Sequence, residues 1–199
     1  MFNANDMKET TISDARMFLL VRHILKWETG VESTGKEMLA DYFAECKRHG
    51  FTDDPDDSGG ATMCGVTLAT FKAHFGKGKT VADLKAMTAQ QWTDILYQDY
   101  WQRWRADEIE SVSVACMLVD WLWHSGSFGI RIPQYMLGVT VDGVVGSKTI
   151  AAVNGKDAKT LFEDLREERK NFLTRIATGV KKKYLKGWLN RVNDLEFYA

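Results

Sequence analysis

The chain has 199 residues, 45% hydrophobic and 27% charged, with Lys+Arg 26 against Asp+Glu 27 and a formal net charge of -1. That length buries a core without staples and bounds the chain to one domain, or one domain with a small appendage. The near-neutral balance excludes an electrostatic grip on nucleic acid. Cysteines are odd in number (Cys46, Cys64 and Cys116), which argues against a disulfide framework and for a reducing compartment. The N-terminal "MFNANDMKETTISDAR" lacks the apolar core of a signal peptide, and no apolar run reaches the roughly 18 residues of a membrane span. The expectation is a monomer without cofactor or metal, cytoplasmic as synthesised. If it acts on an external target, it does so after release or export.

In chain order, "TISDARMFLLVRHILKWE" reads as a helix opened by a Thr11–Asp14 capping box, with Ala15, Phe18, Leu19, Arg22 and Leu25 as its stripe. "GKEMLADYFAECKRHG" places Met38, Leu39, Tyr42, Phe43 and Cys46 on one face of a helix over 35–48, stopped at Gly50. "TLATFKAHFG" is a short helix from Thr67 to Gly76. Thr80–Asp83 and Thr88–Gln91 boxes open the next two, the second running through "YQDYWQRW". "SVSVACMLVDWLWHSG" is apolar nearly all round, so it is expected to be the central buried helix, ending near Gly126. "GVTVDGVVGSKTI" reads as a compact loop or tiny hairpin, with Ser147 capping the helix after it. A long amphipathic helix, "LFEDLREERKNFLTRIATG", and a short one, "KGWLNRVNDLEF", complete the chain. The fold class is all-α, with at most a very small β element.

The stretch "GFTDDPDDSGGATMCGVT" has three readings. Asp54, Asp56, Ser58 and Gly59 match the opening of a calcium loop, but its twelfth position, which needs a bidentate Glu, is Gly65. A solvated turn explains any single Asp. It explains less well the paired Gly59 and Gly60, which let backbone approach a ligand, and the hydroxyls of Thr62 and Thr67. The third reading is half of a glycosidic site. Such a site needs one acid to protonate the leaving oxygen, and a carboxylate or positioned water on the other face of the sugar. Glu28 fits the acid: it stands beside Trp27 at the end of the first helix, where the helix dipole makes a carboxylate mildly unfavourable. The aspartate cluster fits the ionised role.

These residues resemble glycoside hydrolase family 108, lysozyme-like N-acetylmuramidases also labelled secretion activators. The family motif runs roughly E-G-G-Y-x-x-D-P-x-D-x-G-G-x-T-x-x-G-I-T. "YQDYWQRWRADEI" resembles its Tyr/Trp-rich segment, "MLVDWLWHSG" its D-x-x-x-N-x-G helix, and "VDGVVGSKTIAAVN" the D-G-x-x-G-x-x-T signature of its C-terminal predicted peptidoglycan-binding region. The likeness covers roughly residues 15 to 195 and is most specific from Asp54 to Thr67. Departures are about twenty extra residues after Glu28, Ser58 for the usual proline and His124 for the usual asparagine; Thr29 and Gly30 are alternative matches to the family's glycines.

The resemblance implies a lysozyme-like fold, with a catalytic region over 1–107 and a helical peptidoglycan-binding region over 108–199, packed as one unit. It implies cleavage of the β-1,4 bond between N-acetylmuramic acid and N-acetylglucosamine in glycan strands. Glu28 maps onto the family's catalytic glutamate. The order Glu28, Asp57, Thr62 also resembles that of phage lysozymes, with Asp57 a second carboxylate and Thr62 positioning water. Substrate-binding candidates are Asp54, Gly59, Gly60, Trp101, Trp123 and His124.

Each candidate has a plainer reading. Trp101, Trp104, Trp121 and Trp123 are as compatible with a core as with sugar stacking. Asp120 is expected to tie a loop or helix N-terminus, and His124 to be a core histidine or a cleft residue. Cys64 lacks an evident histidine partner for thiol chemistry. Lys181–Lys183 is a solvated face or a contact to anionic wall polymers. Two rival functions are a non-catalytic wall-binding or secretion-accessory protein on the same scaffold, and a calcium-regulated helical module.

Overall fold

The computed structural model describes residues 12–53 and 60–198. Asp54, Asp56, Asp57, Ser58 and Gly59, and the proposed cap Thr11, lie outside the described residues. The described chain is helical with one small sheet, as the fold class anticipated. It forms two compact units: residues 21–99, and residues up to 20 together with those from 100 onward. Helix α1 (Ile12–Thr29) and a π-helix (Leu96–Trp101) pass from one unit into the other.

In the 21–99 unit α1 buries Val21, Ile24 and Leu25, while Leu19, on the part of α1 ahead of that unit, is exposed. The apolar stripe is therefore rotated from the expected one, and Glu28, one turn beyond Ile24 and Leu25, continues the inward face. Helix α2 (Leu39–His49) starts later than expected. Met38 is its solvent-exposed N-cap, while Tyr42, Phe43 and Cys46 form its buried stripe. Ahead of it Glu37 folds back onto Thr34, so a side-chain bridge replaces the expected first turn.

An antiparallel sheet follows, β1 (Phe51–Thr52), β2 (Thr62–Met63) and β3 (Val66–Thr67), in the order β1-β2-β3. Its register pairs Phe51 with Met63 and Met63 with Val66, and Thr52 with Thr62 and Thr62 with Thr67. One row is apolar and the other is a row of threonines, because side chains alternate along a strand.

Helices α3 (Leu68–Phe75), α4 (Val81–Lys85) and α5 (Ala89–Ile95) all start where their threonines predict. Thr67 accepts from Thr70 N at 3.1 Å, and the Thr80–Asp83 and Thr88–Gln91 boxes are both reciprocal. Each threonine satisfies a donor that the first turn leaves without a partner. The helix expected from Thr88 through Trp104 is not one α-helix. After α5 the backbone widens into the π-helix, tightens into a 3-10 turn (Gln102–Trp104), and reverses at Arg105, φ 49°.

The second unit is built on α6 (Val112–Ser125), in which every residue from Ser113 to Leu122 is buried. Against it lies α7 (Phe128–Met136), whose Gly129 touches α6 backbone: an added Cβ would sit 2.4 Å from Leu122 N. Pro133 lies inside α7 and has no N–H for the carbonyl of Gly129, four residues back. Trp104 Nε1 donates to that carbonyl instead, at 3.2 Å. A burial-driven indole and a proline thus settle each other's hydrogen bonds.

Helices α8 (Ser147–Asn154), α9 (Ala158–Ile176) and α10 (Leu185–Asn193) complete the unit, with a 3-10 helix (Gly179–Tyr184) leading into α10. Ser147 is the first residue of α8 rather than its cap; Gly146 takes the cap position. The stretch before it is a loop, not a hairpin. Its post is Gln134 of α7, fully buried, which donates to Asp142 Oδ1 (2.9 Å) and Val144 O (3.0 Å) and accepts from Gly143 N (2.9 Å). Side-chain amide bonds here do what a second strand would have done.

Asp120 corrects another expectation. It ties three helices: fully buried on α6, it accepts from Arg169 of α9 and Arg191 of α10, each at 2.7 Å. Cys46, Cys64 and Cys116 are free and buried.

Candidate active site

Two helix ends and a hairpin turn converge in the 21–99 unit. Helix α1 ends at Gly30, φ 75°, whose N–H bonds Lys26 O at 2.7 Å. Thr29 bonds back to Leu25 O at 2.7 Å and accepts from Val31 N at 3.2 Å, so the residue after Glu28 is held on both sides. Helix α2 ends at Gly50, where an added Cβ would lie 2.7 Å from Cys64 Sγ and 3.0 Å from Thr29 Cγ2. The absence of a side chain lets the two helix ends and the hairpin close together.

The hairpin turn is Cys64-Gly65, with φ 48° and 81°. Both central residues in the left-handed region mark the primed turn that matches strand twist. Two bonds pin it from outside the hairpin. Cys64 N donates to Gly50 O at 2.8 Å, and Trp92 Nε1 of α5 donates to Cys64 O at 2.9 Å. Trp92 is fully buried and also meets Phe43 of α2, ring centroids 6.1 Å apart. Helix α2 and the residue that ends it therefore supply Phe43, Cys46 and Gly50 as backing for this turn.

Glu28 lies on that turn. A Cβ at Gly65 would fall 2.7 Å from Glu28 Cδ and 2.9 Å from its Oε2. The half-buried carboxyl rests on bare glycine backbone, two residues along the chain from the strand that carries Thr62. Thr62, also half-buried, donates to Gly60 O at 3.2 Å, and Gly60 has φ 63°. The fold thus brings Glu28, Gly60 and Thr62 into one unit around one hairpin.

Gly65→Ala puts a methyl group where Glu28 now sits. An ordinary carbon contact needs ~3.5–4.0 Å, so the carboxyl shifts by about 1 Å, enough to cost on the order of a hundredfold in rate. Gly138→Ala introduces the same left-handed strain (φ 69°) in open space and isolates the backbone component. Both variants are expected to melt lower, and only Gly65→Ala to lose activity. Equal activities in a wall-clearing assay would refute the contact's importance.

The remaining candidates separate by burial. Cys64 is fully buried and its thiol is pushed up to about 12, chiefly by burial with Cys46 adding to it, so it is no thiolate nucleophile near neutral pH. Trp101 does not serve a sugar. It is fully buried and its indole donates to Asp107 Oδ1 at 2.7 Å; Trp104 and Trp121 are equally buried. Trp123, in the other unit, is half-buried with its ring 4.6 Å from that of Tyr100.

His124 packs edge-on to Trp188, ring centroids 5.9 Å apart, and its Nδ1 is buried with no hydrogen-bond partner. Burial, with the cations Arg191 and Arg169 nearby, pulls its pKa down to about 3. A depressed histidine resists protonation when folded and accepts it when unfolded. Stability is therefore intact above the unfolded value near ~6.5 and falls as pH drops toward 3, by at most about 1.4 kcal/mol per unit. His124→Asn is expected to flatten the melting temperature between pH 6.5 and 4. Parallel curves for the two proteins would count against it.

The site roles of Gly65, Gly50 and Trp92 were not evident in the sequence, where Gly50 reads only as a helix stop. The signal for the first was present: a two-residue x-Gly link between "TM" and "VT" is a hairpin signature. Nothing local marks Trp92 as the donor to Cys64.

Residues 42–126 match the family model described as Glycosyl hydrolase 108, and residues 128–193 match one described as Predicted Peptidoglycan domain. Glu28 lies ahead of the first range. The first glutamate inside it, Glu45, is engaged on α2 with Arg48 (2.7 Å) and His49 (3.4 Å). The structure of Brucella abortus SagA is similar over 78% of this chain and 91% of that one, at 34% identity and a TM-score of 0.66. A comparison with curated proteins finds no match. The chain belongs to glycosyl hydrolase family 108, with a C-terminal peptidoglycan-binding region, and is a peptidoglycan hydrolase.

Proposed function

We propose that the enzyme cleaves the β-1,4 bond between N-acetylmuramic acid and N-acetylglucosamine, with Glu28 as the proton donor. The observation that carries this reading is the Glu28 carboxyl on the bare backbone of Gly65. Glycine there leaves room for the acid against the turn backbone, beside the strand that carries Thr62. Glu28 gives its proton to the glycosidic oxygen as the bond breaks. Thr62, on the middle strand, holds the water that attacks the anomeric carbon. Asp57, the second carboxylate, stabilises positive charge on the sugar ring and takes the proton that the attacking water loses, a role that rests on the order Glu28, Asp57, Thr62 alone.

The test is digestion of purified peptidoglycan followed by mass analysis of the products. Fragments ending in reducing N-acetylmuramic acid support the reading. Reducing N-acetylglucosamine ends would overturn the bond assignment, and unimpaired digestion by Glu28→Gln would overturn the residue assignment.

A further inference from the structure

Residues 169–193 contain no aspartate or glutamate, in a chain whose net charge is -1. Several cations of that stretch are neutralised by carboxylates elsewhere. Lys170 pairs with Glu167 and Arg175 with Glu168, while Arg169 and Arg191 share Asp120. Lys181, Lys182, Lys183 and Lys186 are exposed, and none makes an ion pair with a described carboxylate. They surround apolar surface that the fold leaves bare. Val180 is 81% exposed; Tyr184 is 49% exposed and stacks on Trp188, ring centroids 6.0 Å apart and planes at 28°. Lys183 Nζ lies 4.8 Å from the Tyr184 ring.

We propose that the 3-10 helix Gly179–Tyr184 and the first turn of α10 dock on an anionic lipid surface. The four lysines meet the headgroup charge. Tyr184 and Trp188 carry an apolar body and a polar tip, the side-chain type that settles at a lipid–water boundary. Val180, at the tip beside Gly179, enters the acyl edge. That last contact chooses lipid over a phosphate-bearing wall polymer, because a hydrated polyanion gains nothing from an exposed valine. The surface acts whatever the identity of the proton donor.

The test uses the full chain with vesicles of phosphatidylcholine alone and of an equimolar mixture with phosphatidylglycerol, read by co-sedimentation. Binding is expected only to the anionic vesicles, and to weaken as salt rises. Each lysine contributes about fivefold, so replacing all four by glutamine lowers partitioning by roughly several hundredfold. Val180→Ser, which leaves charge unchanged, lowers it several-fold. Both variants retain the parent's melting temperature, since none of these side chains is buried. No binding to anionic vesicles, or undiminished binding by the glutamine variant, would overturn the proposal. Undiminished binding by Val180→Ser would also overturn it, marking the patch as a polyanion contact.

Discussion

Glu28→Gln is expected to lose about 10²–10⁴-fold of the hydrolytic rate while folding as the parent does. Glutamine keeps the shape that rests on Gly65 and keeps a polar head, but it has no proton to give to a leaving oxygen. The scaffold gives little reason for collateral damage. Thr29 and Gly30 hold the helix end through their own bonds, and the turn is held by Gly50 and Trp92. Product release from purified peptidoglycan measures the rate, and thermal unfolding confirms the fold. Glu45→Gln is the matched control. Its side chain sits in surface pairs with Arg48 and His49, which contribute little to stability. If Glu45→Gln loses activity and Glu28→Gln does not, the proton donor lies within the family-matched range and the reading of α1 is wrong.

Asp120→Ala is expected to carry the largest stability cost in the molecule. Two guanidiniums, Arg169 fully buried and Arg191 nearly so, converge on one buried carboxylate. Burial presses the Arg169 pKa down, and Asp120 is the charge that opposes it. Removing Asp120 leaves two like charges in a low-dielectric interior. Breaking such a pair costs about 3–5 kcal/mol, a fall in melting temperature on the order of 10 °C. The same physics predicts a rescue: Asp120→Leu with Arg169→Met and Arg191→Leu replaces the ions by packed apolar groups and recovers much of the loss. Thermal unfolding of the single and triple variants decides. A single variant as stable as the parent would mean that water or backbone already satisfies both arginines.

These two residues also mark how far the chain could be read before folding. Both stood out as acids in apolar settings, Glu28 beside Trp27 and Asp120 within the most apolar helix. The chemistry was legible because an unexplained carboxylate in apolar sequence asks for a partner. The partner was not. Asp120 was expected to hold a loop or a helix N-terminus, yet its partners are arginines on α9 and α10 that helical periodicity alone reads as ordinary face residues. Trp101 illustrates the converse. An indole near other aromatics is compatible with a glycan platform, and only its burial with the Asp107 bond removes it from the site.

The sequence by itself determined the threonine-capped helix starts, the family and the type of chemistry. A Thr80–Asp83 or Thr88–Gln91 box closes within one turn, so its partners are adjacent in the chain and no tertiary event can separate them. The Asp/Gly/Thr motif carried the family in the same local way. Only the tertiary structure decided which face of α1 turns inward, which tryptophans are core, and that Glu28 comes to rest on Gly65. Those outcomes depend on distant segments competing for the same buried space, where one bare glycine or one indole N–H settles what fits.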